Sequence, residues 1–345
     1  MPSPVISAAV ERLLAGEDIG RHGAAEALDV IMAGDAGEAQ TAAFLIALRA
    51  KGETPEEIAG LASVIRRRAL RVEAPAGPFI DTCGTGGGLP TFNISTAAAF
   101  VAAGAGVAVA KHGNRSVTSR SGSADVLEAL GATIDLDPDG VSRCLQETGV
   151  GFMFAPAHHP AFLHVVPVRR ALGVHTVFNL IGPLTNPAGA PRQLVGVADR
   201  GALERIAAAL AALGAERALV VRGRDGLDEV SAAAVTDALE VVEGRITPLE
   251  IDPAALGVEG GGDGGIAGGS PEENAALIRE VLAGRAAPAR EVVALNAGAA
   301  LWVAGLAADL AGGLARARES IASGAAAERL DAFVDATRRF ARHAA

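Results

Sequence analysis

The chain reads as an α/β protein, with a small helical N-terminal domain and a larger α/β domain built on a mainly parallel central sheet. Two observations predict this. Residues 6–70 carry apolar positions at helical spacing and no strand-like alternation. After a break at residues 73–78 (EAPAGP), short apolar strands alternate with helical stretches, an order that calls for parallel pairing. A length of 345 residues fits two domains of about 150 residues each, or one large domain with an appendage. The boundary is expected at the break, giving domains over residues 1–73 and 74–345 with a hinge near 74–78.

Each element has its own warrant. Leu13 and Leu14 close a first apolar stripe, and residues 24–32 and 38–51 carry the next two. Thr54-Pro55-Glu56-Glu57 opens a fourth helix: threonine as N-cap, proline at the first helical position, and acids in the first turn, where the dipole favours them. Beyond the break, Phe79-Ile80 is a short strand running into Asp81-Thr82-Cys83 and a glycine-rich loop. Residues 96–103 read as helix, 106–110 (GVAVA) as strand, 111–121 as a polar loop and 124–130 as helix. Further on, 194–197 and 218–221 are strands on either side of a helix at 203–213. Residues 257–269 are mostly glycine with hardly an apolar anchor, so an exposed flexible connection is expected. The stretches 272–282 and 296 onward are helical and alanine-rich.

Composition excludes several classes. Lys+Arg 30 against Asp+Glu 40 leaves a net charge of −10, which argues against coating a nucleic acid. Half the residues are hydrophobic and 20% are charged, enough to build a core. Two cysteines, Cys83 and Cys144, are too few for a disulfide framework or a Cys-rich zinc site and fit a reducing cytoplasm. The N-terminal run contains acids and no long apolar segment, so no secretory signal is expected, and no apolar run is long enough to predict a membrane span.

Three loops carry the chemistry. Gly84-Thr85-Gly86-Gly87-Gly88 leads into Asn93-Ile94-Ser95-Thr96 at a helix start. Glycines let backbone amides close on an anion, and a helix N-terminus adds unpaired donors and a positive dipole. Ser95 and Thr96 are suited to cap that helix. The loop has neither Walker A nor Rossmann spacing, and alone it could equally be a tight turn. The second loop, residues 111–123, follows a strand with three cations, four serines, a threonine and an asparagine. A solvated surface loop is the bland alternative. Parallel strands joined by right-handed crossovers release their loops at one edge, where ligands of open α/β sheets bind, so the two loops converge on a phosphorylated ligand. The third loop, residues 222–229, ends in Asp228 and Glu229. Carboxylates beside a phosphate site repel the ligand unless a cation such as Mg²⁺ lies between; an exposed acidic turn is the alternative.

A fourth segment holds His158-His159, Arg169-Arg170 and FNLIGPLTNP. No further ligand stands at zinc spacing from the histidines. The arginines are either structural ion-pair partners or a planar fork for a substrate carboxylate. Cys83 is read as a small buried filler.

Taken together, DTCGTGGG, TFNIST, VAKHGNRSVTSRSGSADVLEALG, VPVRRALGVHTVFNLIGPLTNPA, GLDEVS and NAGAAL resemble the anthranilate phosphoribosyltransferases of tryptophan biosynthesis, in order over nearly the whole chain. The resemblance implies a nucleoside phosphorylase/phosphoribosyltransferase-like fold in a homodimer. Part of 160–190 would complete the helical domain, and 165–190 would act as a second hinge. It implies transfer of the phosphoribosyl group of phosphoribosyl pyrophosphate (PRPP) to anthranilate, with Mg²⁺. Carried over by position, Gly84, Gly87, Gly88, Thr91, Asn93, Ile94, Ser95 and Thr96 would line the PRPP site. So would Lys111, His112, Gly113, Asn114, Arg115, Ser116, Val117, Thr118, Ser119 and Ser123. Ser95, Asp228 and Glu229 would hold Mg²⁺. Gly84, Asn114 and Arg169 would contact anthranilate, with His112, His159 and Pro183 as walls. No acid or base is assigned; Lys111, Asn114 and Arg169 stabilise and position.

Three departures from that family's pattern stand out. Gly88 replaces the usual Asp, His175 stands where Arg is common, and Ala232-Ala233-Ala234-Val235 replaces a threonine-glycine-proline stretch. Two rivals differ in function. A pyrimidine nucleoside phosphorylase would use inorganic phosphate, and KHGNR and GPLTNP count against it. A nucleic-acid-binding relative should be basic, and this chain is not.

Overall fold

The computed structural model describes residues 2–116, 120–258 and 265–341. Four helices open the chain: α1 (Pro4–Leu14), α2 (Gly20–Ala33), α3 (Glu38–Lys51) and α4 (Pro55–Arg68). The expected start of α4 is a full capping box. The Glu57 N–H donates to Thr54 Oγ1 at 3.3 Å, and the Thr54 N–H donates to Glu57 Oε2 at 2.9 Å. Glu57 is fully buried, and its carboxylate also accepts from the Ile19 N–H and from Lys51 Nζ, at 3.0 and 2.9 Å. A buried carboxylate is tolerable when its lone pairs are filled, as these are.

Seven strands form one sheet: β1 (Phe79–Gly84), β2 (Ala108–Gly113), β3 (Val150–Phe154), β4 (Arg192–Gly196), β5 (Arg217–Gly223), β6 (Thr236–Val242) and β7 (Arg245–Ile251). The order is β3-β2-β1-β4-β5-β6-β7, parallel from β3 to β5 and antiparallel through β6 and β7. The sequence reading located β1, β2, β4 and β5 but not the other three. β3 (VGFMF) is apolar throughout and buried on both faces, so it lacks the alternation that marks a strand. β7 is exposed along most of its length.

Alternation along the strands divides the core. Leu219 and Val221 face one cluster, with α5 (Ile94–Gly104) and the helix Ala287–Val303. Ala218 and Val220 face another, which holds Ile58 and Ile65 of α4, the helix Arg200–Ala212, and Val165, Val168, Phe178 and Ile181. The N-terminal helices and the 160–190 stretch thus share one apolar cluster with a face of the sheet. The reading of 257–269 as an exposed connection is corrected within the described residues. Val258 is buried, the Phe92 N–H donates to Ile266 O at 3.0 Å, and the Gly268 N–H donates to Pro90 O at 2.9 Å. Gly268 approaches so closely that a Cβ there would lie 2.3 Å from Thr91 O, so glycine marks a tight contact rather than slack chain. Among the described residues no helix is long and apolar enough to cross a membrane.

Candidate active site

The chain order of the parallel strands reverses at β1, which has β2 on one side and β4 on the other. At such a reversal the loops diverge to opposite faces and leave a crevice beyond the carboxyl ends of the strands. A cavity of about 640 Å³ opens there, lined by the loops after β1, β2, β4 and β5 and by the 169–183 segment. It brings together Gly84, Gly87, Asn93, Ser95, Thr96, Lys111, His112, Gly113, Asn114, Arg115, Ser116, Ser123, Arg169, Pro183, Asp228 and Glu229. Gly88, Thr91, Ile94 and His159 are not on its wall. Ile94 turns into the core, Thr91 pairs with Ala267, and His159 lies behind His112. Val117, Thr118 and Ser119 fall outside the described residues.

The electrostatic centre is Lys111, only 4% exposed, whose Nζ donates to Thr82 O and to Ser95 Oγ, the latter at 3.2 Å. The Glu229 carboxylate reaches the start of α5 from another loop, where the backbone and hydroxyl of Ser95 favour its charged form. The expectation that Ser95 and Thr96 cap α5 is corrected: both lie inside the first turn, and Asn93 is the N-cap residue. The Asn93 side chain instead donates to Ser121 O and accepts from Asn274 Nδ2, at 3.1 and 3.0 Å. Thr96 Oγ1 is buried without a partner among the described residues.

Burial raises the pKa of Glu229 to about 8, and the neighbouring Asp228 adds repulsion; Asp228 is itself raised by burial. A pKa unit is about 1.4 kcal/mol, so ionising this pair without a counter-charge costs a few kcal/mol. Two carboxylates and a hydroxyl are hard oxygen donors, which suits Mg²⁺. Among the described residues no three His, Cys, Asp or Glu side chains cluster to suit a softer metal. Asp228 is held by close backbone approach. A Cβ at Gly196 would lie 1.7 Å from Asp228 O, and one at Gly88 would lie 2.2 Å from Asp228 Oδ1. Gly88 therefore leaves room for the acid of the third loop, and its backbone favours the charged form of that carboxylate.

The basic loop is less cationic toward the cavity than its composition indicates. Arg115 pairs with Asp125 at 2.9 Å and Glu128 at 2.6 Å. Asp125 Oδ2 accepts from the Ser116 and Gly122 N–H groups, at 3.1 and 2.8 Å, and pinches the base of the loop. Arg169 forms no ion pair among the described residues. Its guanidinium lies 5.2 Å from the Phe178 ring centroid and faces the cavity, and burial lowers its pKa. Of the two open readings, the fork for a carboxylate is the one this geometry favours. Cys83 touches the cavity, but burial pushes its thiol well above the ordinary range, so it is not an activated nucleophile.

The histidines are coupled. His112 Nδ1 lies 3.3 Å from Gly182 O, and His112 Nε2 lies 3.2 Å from His159 Nε2. A neutral His112 donating from Nδ1 accepts at Nε2 from His159. That leaves His159 Nδ1 without a partner among the described residues, as observed. Burial lowers His159 to about 4 and His112 well below its ordinary range. Sequence reasoning missed Ala198 and Asp199, which line the cavity from the loop after β4. The signal was available: the edge rule applied to the other strands also covers β4.

Residues 76–327 match the family model described as glycosyl transferase family, a/b domain, and residues 7–69 match the glycosyl transferase family helical bundle domain. The chain is 55% identical to the anthranilate phosphoribosyltransferase of Rubrobacter xylanophilus over 80% of this chain and 81% of that protein. It is 53% identical to the one from Moorella thermoacetica over 83% and 84%. The crystal structure of anthranilate phosphoribosyltransferase from Thermus thermophilus superposes with a TM-score of 0.89 at 44% identity, covering 96% of this chain and 99% of that one. The Saccharomyces cerevisiae enzyme in complex with PRPP and Mg gives a TM-score of 0.88 at 29% identity, covering 97% and 98%.

The histidine pair predicts an acid-sensitive stability. A base with a depressed folded pKa contributes stability that is full above its unfolded value, about 6.5, and is lost as pH falls through the folded value of about 4. The raised carboxylates act oppositely, so the comparison must be with a variant. The stability advantage of the wild type over His159→Gln should shrink between pH 6.5 and 4 in denaturant titrations; a constant difference would contradict a His159 buried as a neutral ring.

Proposed function

This chain belongs to the anthranilate phosphoribosyltransferase family, and from that premise we propose how the residues of the cavity divide the work. The protein transfers the phosphoribosyl group of PRPP to the amine of anthranilate, releasing pyrophosphate, in tryptophan biosynthesis. One observation carries the assignment of residues: amide-rich, cationic and acidic loops from separate strands meet Arg169 around a single cavity.

The amine of anthranilate is an aniline, neutral at pH 7, and attacks without a base. The barrier lies in breaking the anomeric C–O bond, with positive charge growing on the ribose and negative charge on the departing pyrophosphate. Lys111, fixed by Thr82 and Ser95, is aimed at that leaving charge, and a preorganised charge in a site shielded from water is worth more than one in solvent. The backbone of Gly84–Gly87 supplies amide donors to the phosphates. Arg169 takes the anthranilate carboxylate as a planar fork and, with Asn114, sets the amine in line. His112 and Pro183 wall the aromatic ring. Ser95, Asp228 and Glu229 would hold Mg²⁺, which when bound offsets pyrophosphate charge. The assembly is read as a homodimer acting in the cytoplasm on these two small molecules.

The direct test follows anthranilate fluorescence on addition of PRPP and Mg²⁺; loss of signal requiring both is expected, and an unchanged signal sinks the reading. Arg169→Ala should raise the KM for anthranilate at least tenfold while PRPP binding by calorimetry stays within about threefold, the split expected of a lost charge-assisted fork. Equal loss for both substrates would remove the assigned role. Asp228→Asn with Glu229→Gln should shift half-maximal Mg²⁺ upward by tenfold or more, and an unaltered Mg²⁺ titration would refute the ligand set.

A further inference from the structure

The ladder between the two central strands is incomplete. β1 pairs with β4 over five residues and β2 pairs with β3 over five, yet β1 and β2 pair only at Phe79–Ala108 and Ile80–Val109. Beyond Ile80 the two strands stay side by side, but no register pair continues the ladder beneath the cavity. Backbone groups facing such a gap must find other partners, because an unpaired buried peptide group is costly.

Side chains supply them. Asp81 Oδ1 accepts the His112 N–H at 3.1 Å. Asn186 Nδ2 donates both to Ala110 O, at 2.8 Å, and to Asp81 Oδ2, at 2.7 Å. Lys111 Nζ crosses the same gap to Thr82 O. Asp81 is fully buried and Asn186 is 2% exposed. Asn186 belongs to the GPLTNP run, of which the assignment of substrate contacts uses only Pro183.

We propose that Asp81 and Asn186 form a polar wedge in the ladder between β1 and β2, standing in for its missing bonds, and thereby position Lys111 and His112 for the reaction, without either residue touching substrate. The proposal rests on the reading that Lys111 faces the leaving pyrophosphate. The polar groups of the wedge are spent on backbone, on the Cys83 side chain or on the other member, so its effect passes through the strands. Without these bonds the 110–112 backbone would lose its anchor to β1, and the Lys111 ammonium would shift with it. A displacement of this kind in a preorganised charge lowers kcat more than it alters ground-state binding.

The wedge can be separated from a purely structural contact. Asp81→Asn is isosteric but can accept only one of the two N–H groups that Asp81 accepts, so a merely load-carrying role predicts a loss of stability only. A positioning role predicts, in protein shown folded by its melting curve, kcat lowered at least tenfold with both KM values within threefold. Asn186→Ala should lower kcat in the same manner, and the double variant should lose no more than the worse single one, because the pair acts as a unit. Asp81→Asn alone decides the matter if Asn186→Ala does not fold. A kcat within twofold of the wild type, a loss matched by the fraction unfolded, or multiplicative losses in the double variant would overturn the proposal. Failure of the wild type itself to consume anthranilate would instead count against the assignment of the cavity.

Discussion

The Lys111 ammonium is held almost out of water between the carbonyl of Thr82 and the hydroxyl of Ser95, with the carboxylates of Asp81 and Glu229 close enough to shift against it. Burying such a charge carries a penalty of several kcal/mol unless opposite charge and hydrogen bonds surround it. The rest of the floor follows from that constraint. The backbone ladder between β1 and β2 gives way to side-chain bonds beside it, and acids stand close by. Both acids are pushed upward by burial despite the cation, which shows that desolvation outweighs attraction here. Lys111 does not neutralise the cavity; it leaves an acidic site that a divalent cation and an anionic ligand could complete together.

Backbone proximity does the remaining shaping. Gly196 lets the loop after β5 press onto the end of β4, which brings Asp228 and Glu229 to the cavity rather than leaving them in an exposed turn. Gly88 does the same from the loop after β1, and its lack of a side chain answers the question its substitution raised: the space an Asp would need at 88 is taken by Asp228. The aromatic side is built differently. Phe178, Phe162 and His159 stack edge to face behind the wall, so His112 is fixed by ring packing as well as by Gly182. Rigid support of this kind lets a few polar atoms hold their geometry without the entropy cost of ordering them at each turnover.

Much of this was legible in the residues. The N-cap of α4, four of the five parallel strands and the convergence of three loops all follow from local patterns, because caps, turns and two-residue alternation are written within a few positions of one another. The losses have a common cause. β3 reads as a buried run with no period, Asn93 reads as the residue before a cap when it is a tie to Ser121 and Asn274, and Arg115 reads as a free cation when Asp125 and Glu128 engage it. In each, the deciding partner comes from packing rather than from the pattern at the residue itself.

The sequence alone determined the helical start, four of the strands, the edge at which the loops must gather, and the chemical character of those loops, since all of these depend on short-range sterics and on the handedness of parallel crossovers. Only the tertiary structure decided which charges remain available. Among the described residues Arg169 has no ion-pair partner and Arg115 has two, although both sit in basic runs. Asp81 faces inward to Asn186 across more than a hundred residues of chain. Electrostatic partnership depends on distance in space and on exclusion of water, and neither quantity exists until the chain has folded.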